Sequence, residues 1–198
     1  MKISILRVFV MAAVIAVLAL SAGDSVSADR SDTGINLNQD FAKAAAYCRK
    51  TGGVVQMRIA EYNTNGGVAL VLGGEAPFCQ YTASDGSNIN LFLTTLVTAR
   101  PTLATSAYYT PPQYNGQCEG NPASCYCSQL GGSDLFGGVN AAGGGWVLRS
   151  NSTDVLESCI MPDLSTIDSW GLLYHSQGII RGIDLTTVLR YPGPPAKR

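Results

Sequence analysis

The chain has 198 residues, 46% of them hydrophobic and only 14% charged, with 22 Gly, nine Pro and six Cys. That apolar content excludes a wholly disordered chain, and a formal net charge of -1 gives no general electrostatic pull toward nucleic acid. The length fits one domain of ordinary size or two small ones.

Residues 1–28 read as a signal peptide. Lys2 and Arg7 make a positive start, and Val8 to Ala22 is apolar apart from Ser21. Val26-Ser27-Ala28 then supplies small residues at a cleavage site near Ala28. The apolar run falls short of the roughly 20 residues a membrane span needs, which argues against an uncleaved anchor. No Cys follows the run for a lipid anchor, and no later segment suits a transmembrane helix. Cleavage takes away Lys2, Arg7 and Asp24, leaving a net charge of -2 and all six Cys. An even Cys count in an exported chain favours disulfides, and the expected location is periplasmic or secreted.

The rest of the chain repeats itself. Ala46-Tyr47-Cys48 with Gly52-Gly53 matches Cys125-Tyr126-Cys127 with Gly131-Gly132 at an offset of 79, and Cys79 matches Cys159 at an offset of 80. The expected organisation is a first unit over 29–99, a Pro/Tyr-rich connecting loop over 100–118, a second unit over 119–191, and a flexible tail over 192–198. In the first unit Asn38 or Asp40 is the candidate cap of a helix over Phe41–Arg49, stopped by Gly52-Gly53. Strand patterns follow at Val54–Ile59, at Val68–Leu72 after the Gly66-Gly67 turn, and at Phe78–Tyr81. After the Asp85-Gly86 turn a further strand covers Ile89–Thr98. In the second unit Asn121 suits an N-cap and Pro122 the first helical position, Gly131-Gly132 ends the helix, and Trp146-Val147-Leu148 reads as a strand. The predicted class is α+β: two similar units, each a helix on a small antiparallel sheet, packed as a pseudo-symmetric pair around a shared core.

Asn121-Pro122-Ala123, Tyr126-Cys127 and Gly131-Gly132, continued by Cys159, Pro162-Asp163, Ser165 and Trp170, carry a family resemblance. They resemble a small exported bacterial domain of unknown function that often bears a haemolysin label. Members usually have Gly where this chain has Leu164 and Cys where it has Ile167. The first unit resembles a more diverged copy, keeping Tyr47, Cys48, Gly52, Gly53, Cys79 and Asp85-Gly86-Ser87. The resemblance implies a location and a fold more than an activity.

The repeat predicts the disulfides. Equivalent positions should bond alike, giving Cys48–Cys79 and Cys127–Cys159 and leaving Cys118 for Cys125. Cys125 and Cys127, two apart on a helix, face different sides and suit separate partners. The alternative, a metal site from Cys118, Cys125, Cys127 and His175, lacks the close pair of structural zinc sites. No C-x-x-C is present for redox or haem chemistry.

Few residues point to catalysis, and no cofactor or metal is expected. His175, the single histidine, would have to serve any Ser-His-Asp enzyme, yet no G-x-S-x-G elbow accompanies it. Gly132-Ser133-Asp134 reads as a helix exit. Carboxylates for glycoside hydrolysis would come from Glu75, Asp85, Glu157, Asp163 and Asp168, but Asp85 and Asp163 suit turns. Gly143–Gly145 lacks the G-K-[ST] of a phosphate loop. Asn151-Ser152-Thr153 is a sequon, meaningful only in a eukaryotic source. The connecting loop sets Tyr108, Tyr109 and Tyr114 around Pro111-Pro112; these rings and Trp146 are the candidate binding residues, Tyr giving large contact area at low entropy cost. The alternative is that the three tyrosines fold over the junction between the units; Trp170 is expected in the core.

The expected function is therefore a non-catalytic binding or interaction module with a protein or glycan partner in the envelope or outside the cell. A membrane-active protein and a small hydrolase using His175 are the alternatives.

Overall fold

The computed structural model describes residues 37–134 and 141–194. The leader expected over 1–28 and the end of the tail, 195–198, lie outside them.

Helix α1, Leu37–Lys50, has Asp40 in its first turn and Arg49 and Lys50 in its last, the charges that suit its dipole. It starts ahead of both expected caps, so Asn38 and Asp40 stand in the first turn rather than at the cap. It buries Ala44, Ala45 and Cys48. Gly52 ends it in the left-handed region, with φ 90°. Gly53 is required for another reason: a Cβ there would overlap Cys79 Sγ and lie 2.8 Å from Cys48 Sγ.

Strand β1, Val54–Tyr62, turns through Asn63 (φ 65°) and Gly67 (φ 100°) into β2, Leu70–Thr82. The two strand patterns read separately at Val68–Leu72 and Phe78–Tyr81 are thus one long strand. After the Asp85-Gly86 turn, β3 covers Asn88–Phe92 only. The strand expected through Thr98 gives way to helix α2, Leu93–Val97. Leu93 and Leu96 are both buried. Three residues apart, they share a helix face but would point to opposite sides of a strand, and burying both decides the matter.

The connecting segment is no plain loop, because it contains helix α3, Leu103–Tyr109. Thr102 and Thr105 form a reciprocal capping box, and Ala104, Thr105 and Tyr108 are buried. Helix α4, Pro122–Gln129, starts as expected, the Asn121 side chain accepting from Ala123 N at 2.9 Å. Gly131 ends it with φ 80°. A Cβ on Gly132 would lie 2.6 Å from Cys159 Sγ and 3.0 Å from Cys127 Sγ, the same close approach as at Gly53. Then come β4, Gly144–Leu148, β5, Asn151–Leu156, β6, Ser158–Ile160, and β7, Thr166–Asp168. Helix α5, Ser169–Ser176, and a single 3-10 turn, Leu185–Thr187, follow.

Among the described residues, the seven strands form one antiparallel sheet in the order β5-β4-β1-β2-β3-β7-β6. The fold is α+β as expected, but both halves of the chain contribute to this single sheet. Its two edge strands, β5 and β6, are joined by Glu157 alone, so the edges meet at one residue. Ring contacts show the curl. Trp146 of β4 lies 5.4 Å from Phe92 of β3, although three strand steps, roughly 14 Å, separate them along the sheet.

The helices cover one face, where Tyr81, Leu91, Ile167, Leu172 and Leu96 form the main core. Ile167, where the resembling family has Cys, is fully buried and paired with Leu91. All three expected disulfides are present. Cys48–Cys79 ties α1 to β2, Cys127–Cys159 ties α4 to β6, and Cys118–Cys125 holds the approach to α4. The expected tail is in part held. The Tyr109 hydroxyl donates to the Tyr191 carbonyl at 2.8 Å, and Gly193 packs against the Tyr109 ring.

Candidate functional site

The concave inner face of the sheet carries a second core of Ala60, Phe78, Trp146 and Leu156. Phe78, Phe92 and Trp146 meet edge to face, with centroids 4.6 to 5.4 Å apart. A polar row crosses the same face. The Arg58 guanidinium is 1% exposed; it pairs with Asp154 at 3.0 Å and donates to the Trp146 carbonyl at 2.9 Å and to Gln56 Oε1 at 2.7 and 2.9 Å. Gln56 bonds to Gln80 on β2. Asn90 follows on β3, beside Asp168 on β7. Removing a partner from such a buried charge is costly, so this row is a rigid support. Sequence reasoning passed over it, although the alternation of Gln56 and Arg58 along β1 was the signal.

Two clefts open beside this face. One, of about 250 Å³, is lined by Asn88, Glu157, Asp168, Trp170 and Arg181. Burial pushes the Asp168 carboxyl up to about 6, against the bond from Gly171 N and the nearby Arg181 charge. Glu157 accepts from Asn121 Nδ2 at 2.6 Å and from Trp170 Nε1 at 2.9 Å. Of the five carboxylates singled out in the sequence, these two share a cleft. Asp85 accepts from Ser87 N at 2.8 Å, and the bonds from Ser87 hold it below the usual range. Burial would raise Asp163, but bonds from Ser165 and Leu103 outweigh it and hold the group low. Glu75 pairs with Arg149 at 2.8 Å. Asp85 and Asp163 therefore both cap their own turns, as expected, and Asp163 also holds the start of α3 by accepting from Leu103 N at 2.8 Å.

The second cleft, of about 530 Å³, is mainly apolar, bounded by Ala76, Pro77, Phe92, Thr98, Leu164 and Thr102 among others. It lies where β3 would continue had the chain not turned into α2. β2 pairs with β1 at Leu70, Val71 and Glu75 to Pro77, with Leu72 to Gly74 in a register shift between, and no strand among the described residues pairs with the other side of Leu70–Pro77. This arm carries Val68, Leu70, Val71 and Leu72 at 85%, 59%, 59% and 48% exposure. No charged residue occurs from Tyr62 to Gly74.

The sequence-predicted binding rings are packing groups. Tyr108 is fully buried, stacked on His175 with centroids 3.8 Å apart, and its hydroxyl accepts from Leu185 N at 3.2 Å. That burial pushes it up to about 12. Tyr109 and Tyr114 are half-buried, edge-on to Tyr191 and Tyr126. Trp146 belongs to the inner core. The connecting segment is apolar enough to fold down as α3, so its rings are used where they land. Burial lowers the pKa of His175, and one face of its ring is covered by Tyr108. Cys118, Cys125 and Cys127 are all in disulfides, which removes them from the alternative metal set. The sequon asparagine, Asn151, is exposed and accepts from Thr153 Oγ1 at 2.8 Å.

No protein-family model, curated protein or solved structure matches the chain. Three disulfides, with no helix among the described residues long and apolar enough to cross a membrane, are consistent with an extracellular or periplasmic location.

Proposed function

We propose that this is an exported, non-catalytic interaction protein built from two diverged copies of one small unit, with a protein or glycan partner in the envelope or outside the cell. The observation that carries the reading is the exposed, uncharged apolar stretch Val68–Leu72 at the start of β2, beside a cleft of about 530 Å³. A folded chain rarely leaves such a contiguous patch in water without a use for it. The duplication is supported by a reciprocal contact. Ser87 Oγ accepts from Gly182 N at 3.1 Å, and Ser165 Oγ accepts from Ala104 N at 3.0 Å. Each turn serine thus holds the segment that follows the other unit's last helix.

The test is affinity capture from an envelope and secreted-fraction extract, comparing oxidised protein with a Leu70→Lys/Leu72→Lys variant. Partners enriched by the wild type and lost from the variant are the expected result. Equal capture by both, or release of dye from lipid vesicles by the wild type, would overturn the reading; dye release would put the membrane-active alternative in its place.

A further inference from the structure

We infer that the smaller cleft, bounded by Glu157, Trp170 and Arg181, binds a free α-amino acid with an apolar side chain. The ligand's ammonium meets Glu157 and its carboxylate meets Arg181. This site is separate from the exposed stretch of β2 and from any partner docked there.

The strands set its position. Asn88 opens β3, Asp168 closes the antiparallel β7 beside it, and Glu157 joins β5 to β6. All three line the cleft, which therefore opens at one end of the curled sheet, where its edges meet. Closed and nearly closed sheets commonly bind small molecules at such a mouth. The volume of about 250 Å³ lies below the roughly 300–1,000 Å³ of clefts that take drug-sized molecules, so it suits a smaller one.

Two opposite charges share this cleft without meeting. Glu157 Oε2 is fixed by neutral donors, Asn121 Nδ2 at 2.6 Å and Trp170 Nε1 at 2.9 Å. The Arg181 guanidinium lies over the Tyr174 ring, 5.3 Å from its centroid, and makes no hydrogen bond or ion pair with any described residue. Tyr174 in turn stacks on Trp170, with centroids 5.8 Å apart. The backbone next to Arg181 is held as well. Gly182 N donates to Ser87 Oγ at 3.1 Å, and a Cβ on Gly182 would overlap the Tyr81 carbonyl. Both charges are thus positioned in advance, with the Arg181 donors still unused.

A direct pair would have satisfied the two groups by themselves. Held apart, they match a ligand that carries both a cation and an anion. Arginine suits the carboxylate end, because its planar fork takes both oxygens at once. Val155, Leu156 and the Trp170 ring supply an apolar wall for the side chain. A neutral sugar would desolvate both charges without bringing an opposite one to either. A simple carboxylate would satisfy Arg181 but stand against Glu157.

The polar row behind the cleft supports a functional use of this end. Asn90 and Ser158 flank Asp168 from β3 and β6, at 2% and 1% exposure. Asn90 Oδ1 and Ser158 Oγ have no hydrogen-bond partner. Such atoms cost stability, and a fold departs from full polar satisfaction chiefly at its functional sites.

The experiment is calorimetric titration of protein expressed from the full-length gene and recovered with its three disulfides intact. The probes are L-leucine, glycine, leucine methyl ester, N-acetylleucine and methyl glucoside. Leucine should bind more tightly than glycine. The ester and the N-acetyl derivative each lack one charge and should bind roughly a hundredfold more weakly than leucine. Arg181→Gln and Glu157→Gln should each cause a similar loss with unchanged circular dichroism, the new amide oxygen at 157 still accepting from Asn121 and Trp170. Leu70→Lys/Leu72→Lys should bind leucine as the wild type does. No binding of leucine at millimolar concentration overturns the inference, as does binding that survives either glutamine substitution. Methyl glucoside bound in place of leucine overturns it in favour of a sugar. Loss of leucine binding in the lysine variant would move the site to the β2 stretch and overturn its placement here.

Discussion

Asp168 caps α5 by accepting from Gly171 N at 2.8 Å, yet burial raises its folded pKa to about 6. Between the ordinary value of 3.8 and that raised one, the folded state keeps a proton that the unfolded chain has lost. This group's contribution to stability therefore falls as pH rises through the window and stays low above it. Asp168→Asn keeps a good cap and removes the charge. Urea unfolding on either side of the window should show the variant gaining on wild type at the higher pH; an equal difference at both would contradict the burial argument. Other residue-scale features were open to reading from sequence. Gly52, Gly131 and Asp85 act locally, through their own backbone, while Asn121 and Asp163 make the local bonds their types predict and add distant ones, to Glu157 and from Leu103 N. Gly53 and Gly132 were read as helix stops as well, but their small size answers to the disulfide sulfurs, which only the folded chain brings near.

At the scale of elements, two expectations gave way. Thr94, Thr95 and Val97 favour strand by type, yet α2 forms because Leu93 and Leu96 must both reach the core. The connecting segment looked like a loop for its Pro and Tyr content, but Thr102-Leu103-Ala104-Thr105 is a capping box that starts α3. Thr102→Ala should cost about 1 kcal/mol in thermal or urea unfolding, because the N–H of Thr105 loses its acceptor. Since α3 carries Tyr108, the same variant should alter the environment of His175, seen as a shift in its imidazole proton signals. Unchanged stability and signals would mean that the box does not set the helix start. The long β2 also joins two patterns that an intervening Gly73-Gly74 had separated in the sequence. Between Ile59↔Glu75 and Glu61↔Val71 the register shifts, and this bulge absorbs the extra residues.

For the whole molecule, the disulfides decide how far the fold depends on covalent ties. Cys48–Cys79 closes a loop with a sequence separation of 31, worth roughly 3–4 kcal/mol on chain-entropy grounds. A Cys48→Ala/Cys79→Ala variant should lose about that much in urea unfolding and keep the other two bridges. A loss much below 1 kcal/mol would place the stability in the shared sheet instead. The sequence by itself determined the α+β class, the start of α4 at Asn121-Pro122, the helix ends at Gly52 and Gly131, and the three cysteine pairs. Those follow from short-range backbone preference and from an internal repeat that can be counted along the chain. Only the tertiary structure decided that one sheet serves both halves, that Arg58 and Asp168 share its inner face, that the tyrosines of α3 pack inward, and that the β2 arm stands bare beside a cleft. Each of these depends on which distant strands become neighbours and where one of them stops, and neither composition nor period along a single strand carries that information.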